Sequence, residues 1–168
     1  MGVPPEICRE RLPALATLEV VFQRFRGEAV TPKAIRDQLA IHRLDWIRVD
    51  YRYLAFNDEE AAREAVLSLR EDGLGLEEVA EAAKVEVQEG RLYLEHVDPA
   101  ARARFLAARP GDVLGPLPLG EGFAALVVAA KALPTEEDPE ARQRAEAAVL
   151  AALVEREIGD RVRWHVPL

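Results

Sequence analysis

Residues 109–128 read RPGDVLGPLPLGEGFAALVV, and this stretch decides the fold. An extended run that carries Pro116 and Pro118 passes through a glycine turn at 120–122 into the wholly apolar segment 123–130. Proline cannot donate a ladder hydrogen bond and is confined to sheet edges or irregular runs, whereas a continuous apolar run is typical of a buried strand. The stretch therefore predicts an antiparallel hairpin that joins an edge strand to a central strand.

Two earlier stretches supply further strands. Segment 46–56, WIRVDYRYLAF, alternates in polarity at its start, which indicates a strand with one wet face. Val85 and Val87 predict a short extended piece, and Gly90 predicts a turn that leads into segment 92–94. A short strand of alternating polarity is predicted over 161–166.

The rest of the chain carries helical signals. Helices are predicted over 13–26, 32–42, 58–72, 76–83, 99–108 and 138–157. Thr31 is expected to cap the second helix and the pair Asn57-Asp58 the third, while Asp98-Pro99 and Asp138-Pro139 begin the last two. Gly27 and Gly159 are expected to end the first and last helices. The predicted inward faces are Leu15, Leu18, Phe22 and Phe25, then Ile35 and Leu39, then Ala61, Ala65, Val66 and Leu69, and finally Ala145, Ala148, Val149, Ala152 and Leu153.

Composition excludes several function classes. The chain has 168 residues and a formal net charge of −8 without a basic stripe, so nucleic acid is not an expected partner. Cys8 is the single cysteine, which precludes a disulfide within the chain. The histidines at 42, 96 and 165 lack metal-ligand spacing, so neither a metal nor a cofactor is expected. No signal peptide or membrane span is recognisable, which predicts a cytoplasmic location and no membrane partner.

The middle of the chain resembles the parvulin-type (rotamase) peptidyl-prolyl isomerases. The motifs that carry the resemblance are YLA at 53–55, the alanine-rich helix 61–69, GLGLEEVA at 73–80, PAARARF at 99–105, GDVLGP at 111–116 and GFAAL at 122–126. Over nearly the whole chain, runs such as LDWIRVDYRYLAF and ARPGDVLGP are also similar to parvulin-related proteins of bacterial peptide-maturation systems.

Together these features predict an α+β protein with a parvulin-like antiparallel sheet. We expect an N-terminal helical segment at 1–45, the parvulin-like domain at 46–133, and a C-terminal helix and strand at 134–168 that pack with the N-terminal segment.

The chain differs from the parvulin family at the positions of the family's two active-site histidines. Tyr53 stands where active parvulins have their first histidine, and Ala124 where they have the second. The resemblance implies a peptide groove, held by apolar contacts and sheet-edge hydrogen bonds, with Tyr53 as the only candidate catalytic group. The residues expected to line it are Tyr53, Leu92, Leu94, His96, Ala100, Phe105, Leu119 and Ala124.

Three functions stay open at this point. The first is a peptide-binding foldase or maturation accessory whose partner is an extended or proline-containing peptide or precursor protein. The second is an active but atypical prolyl isomerase, because a twisted amide can be stabilised without histidines. The third is a non-catalytic structural subunit whose groove is filled by its own side chains. A homo-oligomer is compatible with each.

Overall fold

A computed structural model of the chain describes residues 5–161. Within that range the elements are α1 (Pro5–Ala29), α2 (Pro32–Ile41), β1 (Arg48–Phe56), α3 (Glu59–Arg70), α4 (Leu76–Ala83), β2 (Val87–Tyr93), a 3₁₀ turn (Leu94–His96), α5 (Pro99–Ala107), β3 (Val113–Leu119), β4 (Gly122–Ala132) and α6 (Pro139–Arg161). The α+β class is confirmed. The strand predicted over 161–166 lies outside the described residues, apart from Arg161, which ends α6.

The four strands form one antiparallel sheet in the order β2-β1-β4-β3. The hairpin prediction is confirmed, because β4 lies between β1 and β3 while the proline-bearing β3 forms an edge. Leu119 pairs with Gly122, so two residues close the hairpin. Gly120, the first of them, has φ +59°, a left-handed conformation that glycine adopts without a steric penalty.

The sheet carries a separate apolar cluster on each face. One face packs on α3 and α4 through residues that include Leu54, Val66 and Ala125. The other face packs on α5 through residues that include Val49, Phe105, Leu126 and Val128. Leu126 and Ala125 belong to opposite clusters because successive side chains of a strand point to opposite faces.

The turn predicted at Gly90 is wrong, because β2 continues through this residue. Gly90 pairs with Tyr51 across the sheet, and a Cβ atom at position 90 would lie 2.4 Å from Cζ of Tyr51. The tyrosine ring therefore covers the glycine, and the absence of a side chain serves close packing rather than a turn.

The predicted helix ends at Gly27 and Gly159 are also wrong, because α1 and α6 run through them. A glycine inside a helix costs about 1 kcal/mol relative to alanine, so neighbouring helix-forming residues can carry the helix past it. The inward face of α3 contains Ala62, at 0% exposure, in place of Ala61, since Ala62 keeps helical spacing with Ala65, Val66 and Leu69.

Elsewhere the predicted inward faces are partly met. Ile35 and Leu39 of α2 are buried, as are Ala145 and Val149 of α6. Ala152 is exposed, and Ala148 and Leu153 are half-buried. On α1 Phe22 is 43% exposed and Phe25 half-buried; the side chains of Leu15 and Leu18 lie outside what the structure describes.

Contacts divide the chain into two compact units. One contains the residues up to Ile41 and from Thr135 onward, in which α1 and α2 contact α6. The other runs from His42 to Pro134 and holds the sheet. Between residues 5 and 161, no helix is both long enough and apolar enough to cross a membrane.

Side-chain caps stand at the four predicted helix starts, and within the predicted pair Asn57-Asp58 it is Asp58 that caps. Asp58 Oδ1 accepts a hydrogen bond from Ala61 N at 2.8 Å, and Thr31, Asp98 and Asp138 cap α2, α5 and α6 in the same way. Each side chain satisfies a backbone N–H that the first turn of its helix leaves without an intrahelical partner.

Replacing Asp58 with alanine is expected to lower the free energy of unfolding by about 1 kcal/mol, because the first turn of α3 loses its cap. Asp72→Ala removes the same charge from an exposed position after α3 and should change stability by less than about 0.5 kcal/mol. Urea denaturation of both variants measures the difference. If both variants lose the same free energy of unfolding, the capping hydrogen bond of Asp58 contributes nothing beyond the effect of its charge.

Candidate functional site

A cleft of about 640 Å³ opens on the α5 face of the sheet, within the unit that spans 42–134. Small-molecule and peptide side-chain sites commonly fall in this size range. Strands β1 and β2 supply one wall, α5 a second, and β3 a third. The residues that line it are Tyr51, Tyr53, Leu92, His96, Val97, Asp98, Ala100, Ala101, Arg104, Phe105, Pro116, Leu117, Pro118, Leu119, Ala124 and Leu126.

Two tyrosines form the aromatic wall. Tyr51 and Tyr53 are two residues apart on β1, so both face the cleft, with ring centroids 5.6 Å apart and planes tilted by 49°. The Tyr53 hydroxyl donates a 2.6 Å hydrogen bond to Oε1 of Gln88, its cross-strand partner on β2. Burial, followed by the neighbouring Tyr53, raises the pKa of Tyr51.

Helix α5 is held at both ends and presents small residues to the cleft. Asp98 Oδ1 accepts from Ala100 N at 2.8 Å at its start. At its other end, Nζ of Lys131 donates to the carbonyls of Phe105, Leu106 and Ala108. A cation is favourable there because the last carbonyls of a helix carry partial negative charge. With Phe105 buried against the sheet, Ala100 and Ala101 leave the cleft open.

The β3 wall is fixed from behind at Gly115. This residue has φ +145°, and a Cβ atom there would lie 2.8 Å from Cγ2 of Val66 and 2.9 Å from the carbonyl oxygen of Ala124. The Gly115 carbonyl accepts from Nη2 of Arg104 at 3.1 Å, and the Val113 carbonyl accepts from Arg70. The glycine thus lets β3 lie close to α3 and β4 while Pro116 and Leu117 face the cleft.

The structure brings together seven of the eight residues that the sequence assigned to the groove: Tyr53, Leu92, His96, Ala100, Phe105, Leu119 and Ala124. Leu94 does not line the cleft and has 0% exposure in the α5-side core. The chain leaves β2 at Tyr93, and the Leu94 N–H donates to the Ile47 carbonyl at 3.1 Å. This 3₁₀ turn directs Leu94 inward, which the sequence pattern did not reveal.

Several lining residues were not foreseen. Tyr51 and Leu126 follow from strand periodicity, since each lies two positions from a predicted groove residue on the same strand. Arg104 carried no comparable signal, because an arginine on a short helix is usually a solvated residue.

The two positions that the sequence resemblance aligned with parvulin histidines, Tyr53 and Ala124, both line this cleft. Ala124 pairs with Ala55, two residues from Tyr53 on the neighbouring strand, so Tyr53 and Ala124 are diagonal neighbours on one face. His96 lines the rim, is 67% exposed, and has its Nε2 atom 3.7 Å from Oε1 of Glu95. Among the side chains that the structure describes, no three metal-ligating groups cluster. The cleft is open, whereas a structural subunit was expected to fill it.

Comparison with known proteins gives weak likenesses. No family model and no curated protein matches the sequence. A SurA-like chaperone of Campylobacter jejuni, from work on PEB4 and the periplasmic protein Cj1289, is 11% identical, with 97% of this chain and 78% of that chain covered and a TM-score of 0.35. PrsA from Bacillus subtilis is 15% identical, with coverages of 95% and 67% and a TM-score of 0.37. These scores are too low to carry an argument about fold or function.

Proposed function

We propose that the unit spanning 42–134 is a peptide-binding module that holds an extended or proline-containing segment in the cleft. The observation that carries the proposal is the open concave surface walled by Tyr51, Tyr53, Leu92, Pro116 and Leu117. Burial of apolar surface stabilises such a complex by about 25 cal/mol per Å² before the costs of association. A proline-containing segment is favoured because its backbone is extended before it binds.

Apolar contacts, rather than strand addition along the start of β3, provide the grip in this proposal. The carbonyls of Val113 and Gly115 already accept hydrogen bonds from Arg70 and Arg104. These side chains occupy acceptors that an added strand would need. The proposal therefore does not include sheet-edge hydrogen bonds between the peptide and this part of β3, although the sequence had led us to expect them.

The module is proposed to act as a foldase or peptide-maturation accessory, the role that the parvulin resemblance implies, by binding its client without isomerising it. Rotation about a peptide bond has a barrier of about 18–20 kcal/mol, and an enzyme must bind the twisted amide more tightly than the planar one. At the positions aligned with the two parvulin histidines, Ala124 offers no polar side-chain group, and the Tyr53 hydroxyl already donates a hydrogen bond to Oε1 of Gln88.

Replacing Ala100 with tryptophan is expected to weaken peptide binding at least tenfold. Ala100 is exposed on the cleft side of α5, and an indole there would occupy the space that the peptide needs. Ala103→Trp is the matched control, because Ala103 is also exposed on α5 but does not line the cleft. Nuclear magnetic resonance titration with N-acetylated, C-amidated X-Pro peptides measures the affinities.

The same samples report catalysis through the rate of cis–trans exchange. The wild-type chain should shift the peptide resonances without accelerating that exchange. Accelerated exchange would replace this proposal with the atypical isomerase. If no peptide resonance shifts at substrate-like protein concentration, the peptide-binding function is refuted.

A further inference from the structure

The cleft contains a cation without an acidic partner. Arg104 lies on α5 and lines the cleft, and its one hydrogen bond runs from Nη2 to the Gly115 carbonyl. No carboxylate oxygen of the side chains that the structure describes lies within 4 Å of its guanidinium nitrogens. Arg102, two residues earlier on the same helix, is instead paired with Asp45. We propose that Arg104 makes the cleft selective for peptides that carry a carboxylate, an inference that rests on the peptide-binding function proposed above.

The anchor at Gly115 prepares Arg104 for this role. A guanidinium group has five N–H donors in a planar fork, and one hydrogen bond leaves most of them available for a carboxylate. The acceptor lies where the backbone has little room, since a Cβ atom at position 115 would lie 2.8 Å from Cγ2 of Val66 and 2.9 Å from the Ala124 carbonyl oxygen. Less side-chain freedom is then lost when a ligand binds. Arg104 is also exposed, so a carboxylate can reach its guanidinium group and form a charge-assisted hydrogen bond.

The one carboxylate among the lining residues, that of Asp98, stands at the far end of the cleft. Asp98 and His96 line the cleft at the start of α5, where the Asp98 carboxylate caps the helix. Six helical positions separate Asp98 from Arg104, a rise of about 9 Å along the axis. An acidic group of the peptide can therefore bind Arg104 without close contact with Asp98.

The overall charge makes the preference diagnostic. A chain of net charge −8 repels acidic peptides in general. If adding a carboxylate to a peptide makes it bind more tightly, the gain must therefore come from a cation near the bound peptide. The carboxylate can belong to an aspartate or glutamate side chain or to the C-terminus of the ligand, since both offer the same two oxygens.

The test compares variants of the pentapeptide Ala-Leu-Pro-Phe-Ala. The neutral reference is N-acetylated and C-amidated. One set replaces the first or last alanine with glutamate, a second keeps a free C-terminal carboxylate, and a third carries lysine in place of glutamate. Dissociation constants are measured at fixed ionic strength. At least one carboxylate peptide should bind about tenfold more tightly than the neutral reference. Whether the glutamate peptides or the peptide with a free C-terminus binds more tightly shows which kind of carboxylate the cleft selects.

Arg104→Gln should reduce the ratio of the affinity for the carboxylate peptide to the affinity for the neutral reference to about one. Arg109→Gln removes the same charge from an exposed position outside the cleft and should preserve the ratio. If Arg104→Gln does not fold, Arg104→Lys keeps the charge, loses the fork and should retain a smaller preference.

The outcomes separate this inference from the function beneath it. Equal binding of neutral and carboxylate peptides, or tighter binding of the lysine peptides, overturns the role of Arg104 and leaves peptide binding intact. An Arg104→Gln chain that folds and keeps the full preference does the same. Failure of every peptide to bind the wild-type chain refutes the peptide-binding function, and this inference with it.

Discussion

Replacing Gly115 with alanine is expected to lower the free energy of unfolding by about 3 kcal/mol. Two effects add. The residue has φ +145°, a conformation that side chains rarely adopt, and the new Cβ atom would meet Cγ2 of Val66 at 2.8 Å and the Ala124 carbonyl oxygen at 2.9 Å. The carbonyl belongs to the central strand and cannot move without disturbing its pairing with β1 and β3.

Gly111→Ala separates the two effects. Gly111 also has a positive φ, of +93°, but no atom lies within 4 Å of a Cβ built there. It should therefore show only the backbone penalty, about 1 kcal/mol. Urea denaturation of both variants gives the comparison. If Gly115→Ala costs no more than Gly111→Ala, the close approach of β3 to α3 and β4 is not what holds the β3 wall.

Replacing Leu94 with alanine is expected to lower the free energy of unfolding by about 3 kcal/mol, since removal of a buried leucine side chain leaves a cavity. Leu94 has 0% exposure and packs in the cluster that includes Val49 and Phe105. Because this cluster holds α5 on the sheet, Leu94→Ala should lower the free energy of unfolding much more than it weakens peptide binding by the folded chain.

Leu119→Ala provides the contrasting control. Leu119 is 41% exposed and lines the rim of the cleft, so its truncation should cost less than about 1 kcal/mol of stability and should weaken peptide binding. The two leucines, both predicted to line the groove, are thereby assigned different roles. A Leu94→Ala chain with wild-type stability and reduced peptide affinity would return Leu94 to the cleft wall.

Most of the candidate cleft could be predicted because its walls follow local rules. Alternation along β1 directs Tyr53 to the face that Ala124 shares, and an aspartate–proline pair begins α5 beside Ala100. Arg104 could not be assigned in this way. Its position depends on the carbonyl of Gly115, eleven residues away on another element, and sequence spacing does not encode that contact.

The sequence by itself determined the α+β class, the edge and central strands of the hairpin, and the four helix caps, because each depends on backbone preferences and periodicities within a few residues. The tertiary structure alone decided which way Leu94 faces, why Gly90 lies within a strand, and which arginine of α5 remains without an acid. These features depend on contacts between residues far apart in the chain. Tyr51 covers Gly90, the 3₁₀ turn directs Leu94 into the core, and Asp45 pairs with Arg102 and not with Arg104.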